Sequence, residues 1–147
     1  MTAAFPSTRK SWMATLAKTP SARLAALMPD LPPLTVLRQP EIGAVMVRGR
    51  VGGTGAAFNL GEMTVTRVSV RLASGEVGHA WVQGRDKHHA LRAAAVDAMM
   101  QSDQADELAA RVLRPLEVAA SEARAVRAGK AAATKVDFFT MVRGEDK

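Results

Sequence analysis

Cysteine and tyrosine are both absent from this sequence, and two tryptophans and four phenylalanines are its whole aromatic content in 147 residues. Without cysteine there is no disulfide, no thiolate nucleophile, no Cys-ligated zinc and no iron–sulfur cluster held by the chain's own ligands. With aromatic residues at 4%, a surface that stacks successive nucleic-acid bases has little to work with. Long apolar runs are missing too: nothing approaches the ~18 consecutive apolar residues of a membrane span. The opening MTAAFPSTRKSWMATLAKTP carries Arg9 and Lys10 in its middle and has no uninterrupted h-region, so it does not resemble a secretory signal. A soluble cytoplasmic protein is expected.

What is present is a single domain's worth of chain with an excess of positive charge, 20 Lys+Arg against 14 Asp+Glu for a net +6. That length buries a core without metal or disulfide staples. The charge admits phosphates, nucleic acid or an acidic protein as partners and does not choose among them.

Along the chain the hydrophobic period changes twice. Residues 8 to 28 place Trp12, Leu16, Leu24, Leu27 and Met28 at helical spacings, which predicts two short helices divided near Pro20. The segment PDLPPL, with three prolines in residues 29 to 33, predicts a connector. Period-two alternation over residues 43 to 51 and 64 to 72 predicts two half-buried strands. A third, EVGHAWVQ, follows the turn ASG. Setting Leu72 opposite Val77, Val70 opposite His79 and Val68 opposite Trp81 gathers these residues on one apolar face. Arg67, Ser69 and Arg71 then share the other face with Val82, Ala80 and Gly78.

From Asp86, a competent N-cap, a helix runs to about Gln101 with apolar residues on two arcs. Such a helix needs two partners. One is its own sheet; the second is expected to be the C-terminal helices, with a neighbouring subunit as the alternative. Residues 103 to 135 predict a second helical stretch that Pro115 breaks or restarts. The fold class is α+β, an antiparallel β-meander with N-terminal helices and C-terminal helices packed on it.

Chemistry is sparse. His88 and His89 are adjacent and diverge by about 100° on a helix, and no HExxH or triad spacing is present. His79 falls on the apolar strand face and reads as a core imidazole. No serine or threonine stands in a nucleophile elbow, and no pair of carboxylates converges. RVGGTGAAFNLGE carries Gly52, Gly53 and Gly55, which can expose amides to an anion, yet lacks the Lys-Ser/Thr of a P-loop and does not lead into a helix. Arg48, Arg50, Arg67 and Arg71 are expected on outward strand faces; a solvated face is the first reading, and an acidic partner surface or a polyphosphate between like charges is the alternative. The tail VDFFTMVRGEDK holds Phe138 and Phe139, whose burial of about 150 Å² or more each requires a docking surface.

The strings GGTG at 52 to 55, WVQGRDK at 81 to 87 followed by His89 and Ala90, and VDFFTMVRG at 136 to 144 resemble the PhnG family, the G subunits of the bacterial carbon–phosphorus lyase core complex. Further matches are Trp12-Met13, Thr66-Arg67, Val70-Arg71-Leu72, Asp97-Ala98, Met100-Gln101 and Pro115-Leu116. The resemblance implies a cytoplasmic pathway of alkylphosphonate catabolism. There the G, H and I subunits, with an accessory L subunit, convert ATP and methylphosphonate into ribose 1-methylphosphonate 5-triphosphate with displacement of adenine. It implies partners of the PhnI, PhnH and PhnJ type. It places the nucleosidase chemistry on the I subunit, and the iron–sulfur cluster and S-adenosylmethionine on the J subunit. No catalytic residue is implied for the G subunit. The motifs supply interface or anion-binding candidates: Gly52, Gly53, Thr54, Gly55, Arg67, Trp81, Gln83, Gly84, Arg85, Asp86, Lys87, His89, Asp137, Phe138, Phe139 and Arg143. One domain is expected over 1–147, its tail from residue 136 docking on another surface. Arg85 and Lys87, at a helix N-terminus, are expected to meet a neighbour's carboxylate in preference to a phosphate. The alternative is a small basic nucleic-acid-binding module.

Overall fold

The computed structural model describes residues 8–136. Two short helices come first, α1 over Arg9–Lys18, whose N-cap Thr8 accepts from the Ser11 amide, and α2 over Ser21–Leu27, entered at Pro20. After the proline-rich connector, strands β1 (Leu34–Arg50), β2 (Ala57–Leu72) and β3 (Val77–Gln83) form one antiparallel sheet in the order β1-β2-β3. The meander and the α+β class agree with the sequence pattern. The strands are longer than their alternating stretches, however. Register shifts lie between Val36 and Arg38, between Arg38 and Glu41, and between Val47 and Arg48. Each shift moves the inward phase by one position and erases the period from the sequence. Pro40 is tolerated because β1 is an edge strand, where a missing N–H removes no ladder bond.

The pairing of β2 with β3 corrects the expected register by one residue. Val68 lies opposite Ala80, Val70 opposite Gly78 and Arg67 opposite Trp81. The inward face therefore carries Thr66, Val68, Val70 and Leu72 with Gly78, Ala80 and Val82, while His79 and Trp81 point outward beside Arg67, Ser69 and Arg71. The cause is the helix beneath. A Cβ at Gly78 would stand 1.9 Å from the Ala94 carbonyl oxygen and 2.6 Å from the Ala98 nitrogen. Helix α3 (Lys87–Met99) lies so close to the sheet that only small residues fit between them, and Ala90, Ala94 and Ala98 supply its side of the contact. Burying Trp81 in that gap would force the layers apart at the expense of every other contact.

The other flank of α3 is covered by the N-terminal helices, through Leu16, Leu24 and Met28, and by the start of the C-terminal stretch, through Leu108, Val112, Leu113 and Leu116. Both apolar arcs are thus satisfied within the chain, with α1 and α2 sharing the place expected for the C-terminal helices. That stretch runs as α4 (Ala105–Leu108), a π turn over Ala109–Leu113, and α5 (Arg114–Ala133). Pro115 sits in the first turn of α5, and the wider turn before it absorbs the lost N–H bond. Among the described residues Leu116 is the last that is buried; from Ala120 onward α5 is exposed all round, Val126 at 60%. Among the described residues no helix is long and apolar enough to cross a membrane.

Candidate functional site

The strand-to-helix junction from Trp81 to His89 is built from the backbone outward. Gly84 takes φ +93°, a conformation glycine adopts at no steric cost. Its N–H donates to the Thr64 carbonyl at 2.9 Å, and its own carbonyl accepts from the buried Thr66 hydroxyl at 2.8 Å. The chain then enters α3 at Asp86, whose carboxylate accepts the His89 amide at 2.9 Å. That bond, followed by one from the Ser21 side chain, holds the Asp86 carboxyl below its usual pKa. The orphan amides of the helix end therefore already face a carboxylate of this chain. Gln83, Arg85, Lys87 and His88 are exposed around it. His89 turns inward instead: it is buried, and its Nε2 lies 2.9 Å from the Leu16 carbonyl, tying α3 to α1.

Asp97, which the sequence marks only within the matched pair Asp97-Ala98, is a hub of hydrogen bonds. It is fully buried, yet accepts from Arg9 Nη2 at 2.8 Å, Arg9 Nε at 3.2 Å, the Trp12 indole at 2.8 Å and the His79 amide at 2.9 Å. A buried carboxylate with four donors is satisfied. It also joins three elements, α1, α3 and the edge of β3.

On the outer face of the sheet, Trp81 is half exposed, and the Arg67 guanidinium lies over its ring, 5.5 Å from the centroid. Arg67 Nε also donates to Glu41 at 3.0 Å, and Arg38 to the same oxygen at 3.2 Å. These bonds, Arg67's first, hold the Glu41 carboxyl below its ordinary range. Of the four strand arginines singled out in the sequence, only Arg67 meets an anion among the described residues, the Glu41 carboxylate that it shares with Arg38. His79, expected in the core, lies on this face with Nδ1 2.8 Å from the Ser69 hydroxyl; the register shift put it there. Beside it, a half-open cavity of about 220 Å³ separates β3 from α1, lined by Met13, Ala14, Ala17, His79, Trp81 and Ala93 among others.

The glycine loop lies apart from this cluster, at the far end of the β1–β2 hairpin, eight register positions beyond the Val65–Gln83 pair. Gly52 and Gly53 take φ of +60° and +84°. The Thr54 and Gly55 amides both turn inward to the Val51 carbonyl, and Arg50 donates to the Gly55 carbonyl at 3.1 Å. Asp137, Phe138, Phe139 and Arg143 lie outside the described residues.

These features define a small α+β domain whose distinctive polar and aromatic side chains lie on open faces and on one extended hairpin. The chain belongs to the PhnG family: the family model described as phosphonate metabolism protein PhnG matches residues 7–144. A relative from Rhizobium meliloti (strain 1021), named alpha-D-ribose 1-methylphosphonate 5-triphosphate synthase subunit PhnG, is 51% identical over 118 residues, covering 80% of this chain and 75% of its own.

Proposed function

We propose that this chain is a non-catalytic subunit of a ribose 1-methylphosphonate 5-triphosphate synthase within the carbon–phosphorus lyase core complex, working in the cytoplasm in alkylphosphonate catabolism. ATP and methylphosphonate are then the substrates of the assembly, and PhnI-, PhnH- and PhnJ-type subunits are the partners. The observation that carries this reading is the 51% identity to a protein named as a subunit of that synthase.

The site geometry supports a contact role. Asp86 and Asp97, the carboxylates of the junction and the core, are committed to amides, the Trp12 indole and Arg9, and His89 is committed to Leu16. None of them is placed as a general base toward a pocket. The exposed set, Trp81, Gln83, Arg85 and Lys87, is suited to meeting a neighbour, since aromatic and Arg residues are favoured at interfaces. The alternative of nucleic-acid binding gains one aromatic from the corrected register, because Trp81 now lies among arginines. Arg67, neutralised by Glu41, covers that ring and takes it away from base stacking.

The test is reconstitution. The chain alone with ATP and methylphosphonate releases no adenine, whereas the companion subunits require it for full release. Adenine release tracking the concentration of the purified chain, or full turnover of the companions without it, overturns the proposal.

A further inference from the structure

The sheet is three strands wide only at its base. β3 ends at Gln83, opposite Val65, because Gly84 turns the backbone into α3. From there residues 44–50 of β1 and 57–64 of β2 continue as a two-stranded ribbon, roughly 25 Å long at about 3.3 Å per residue. A ribbon of two strands is marginally stable in water by itself.

Its composition is not that of a solvated hairpin. Val45, Val47, Met63 and Phe58, whose ring lies against Gly49, share one face; Met46, Arg48, Arg50 and Glu62 share the other. The register shift after Val47 leaves Leu60 without a partner position, and it is 66% exposed. Met46, Val51 and Phe58 are exposed as well. Apolar side chains concentrated on a thin projecting arm mark a contact surface. Arg48 and Arg50 stand two residues apart on one face, and among the described residues neither has an ion-pair partner.

We propose that this arm, residues 44–50 with 57–64, is an element by which the chain docks in its complex, and that its seat is an apolar groove of a companion subunit rimmed by aspartate and glutamate. The proposal rests on the assembly reading above and names the surface and the chemistry of the partner. Two arms of this chain laid together would bring Arg48 and Arg50 of both copies to one narrow ribbon, where like charges oppose pairing, so a second copy is disfavoured. A polyphosphate is disfavoured because the loop amides at Thr54 and Gly55 point inward and Arg50 is folded back onto Gly55.

The test uses the full chain co-expressed with the companion subunits. Given that the wild-type chain assembles, the Arg48→Glu/Arg50→Glu chain associates about 100-fold more weakly, as expected when desolvated charge pairs become like-charged. The Arg48→Lys/Arg50→Lys chain stays within about tenfold of wild type, and raised salt weakens wild-type association. A photo-crosslinking residue at Asn59, the cross-strand partner of Arg48, couples to a companion peptide rich in Asp and Glu. Charge-reversed chain that assembles as tightly as wild type overturns the proposal. So does a cross-link to a second copy, or a reversed chain that assembles fully while the complex loses ATP affinity. A wild-type chain that joins no companion overturns the assembly reading itself, and the two failures are thereby distinguished.

Discussion

Arg9 and Asp97 lie 88 positions apart in sequence and meet at 2.8 Å, with Asp97 fully buried and the Arg9 side chain 42% exposed. The asymmetry decides which partner matters more. Arg9→Ala removes a guanidinium that water already reaches, at a cost of about 1 kcal/mol. Asp97→Ala also strands the Trp12 indole N–H and the His79 amide, and is expected to cost about 2–4 kcal/mol. Urea unfolding of both variants and the double variant measures the difference; equal losses would show that the ion pair alone, and not the hub, holds α1 in place.

Gly78→Ala is expected to be among the most damaging single-methyl changes in the chain, because the new Cβ would meet α3 backbone 1.9 Å away. A loss of about 3 kcal/mol or more is expected from such overpacking. Gly43→Ala, with nothing within 4 Å of its Cβ, stays within about 1 kcal/mol. Thermal melts of the two variants side by side check the contrast.

Asp86 gives the fold a dependence on acid. Its folded pKa lies below the usual value because the His89 amide and the Ser21 side chain bond the ionised form. Its contribution is therefore fully present above the unfolded pKa of about 3.9 and is lost as pH falls through the lower folded value. At neutral pH Asp86→Ala costs about 1 kcal/mol, the usual worth of an N-cap. The gap between wild type and variant should narrow on acidification; a gap constant with pH would show that the capping bond does not depend on charge.

Deleting residues 137 to 147 removes Phe138 and Phe139, two of the four phenylalanines of the sequence. Association with the companion subunits is expected to weaken at least about tenfold, as for loss of aromatic anchors. The melting temperature of the lone chain is expected to shift by no more than about 2 °C, as for a segment whose seat lies on a companion. A truncated chain that melts much earlier yet assembles normally once folded would place the tail on its own core.

The sequence carried the order of elements, the cap at Asp86 and the restart at Pro115, since each depends on local chemistry. The register of β3 was not readable from hydrophobicity, which favours Trp81 and His79 inside. The signal that could have found it is size: Gly78 and Ala80 alternate with larger residues, and Ala90, Ala94 and Ala98 recur every fourth position of α3, so two small-residue faces match. The inner half of β1 was hidden by register shifts around Pro40, where alternation breaks. Of the candidate residues, Trp81 and Arg67 were brought into contact by the corrected register, and His89 was turned inward onto the Leu16 carbonyl. Asp97 was under-read because a lone carboxylate on an alanine-rich helix looks solvated until its two partner segments, α1 and β3, fold around it.

The bonds around β3 also bear on how association stops. At the base of the sheet, the Val77 carbonyl accepts from both Arg9, at 3.1 Å, and Gln101, at 2.8 Å, while the His79 amide is taken by Asp97. On the opposite flank Pro40 and two register shifts interrupt β1. Exposed strand edges are templates for further strands, and here the templates nearest the core are consumed by side chains of the same molecule. Strand-to-strand growth is thereby opposed at the base on both sides, because the groups that would template a further strand there are interrupted or already bonded within the molecule.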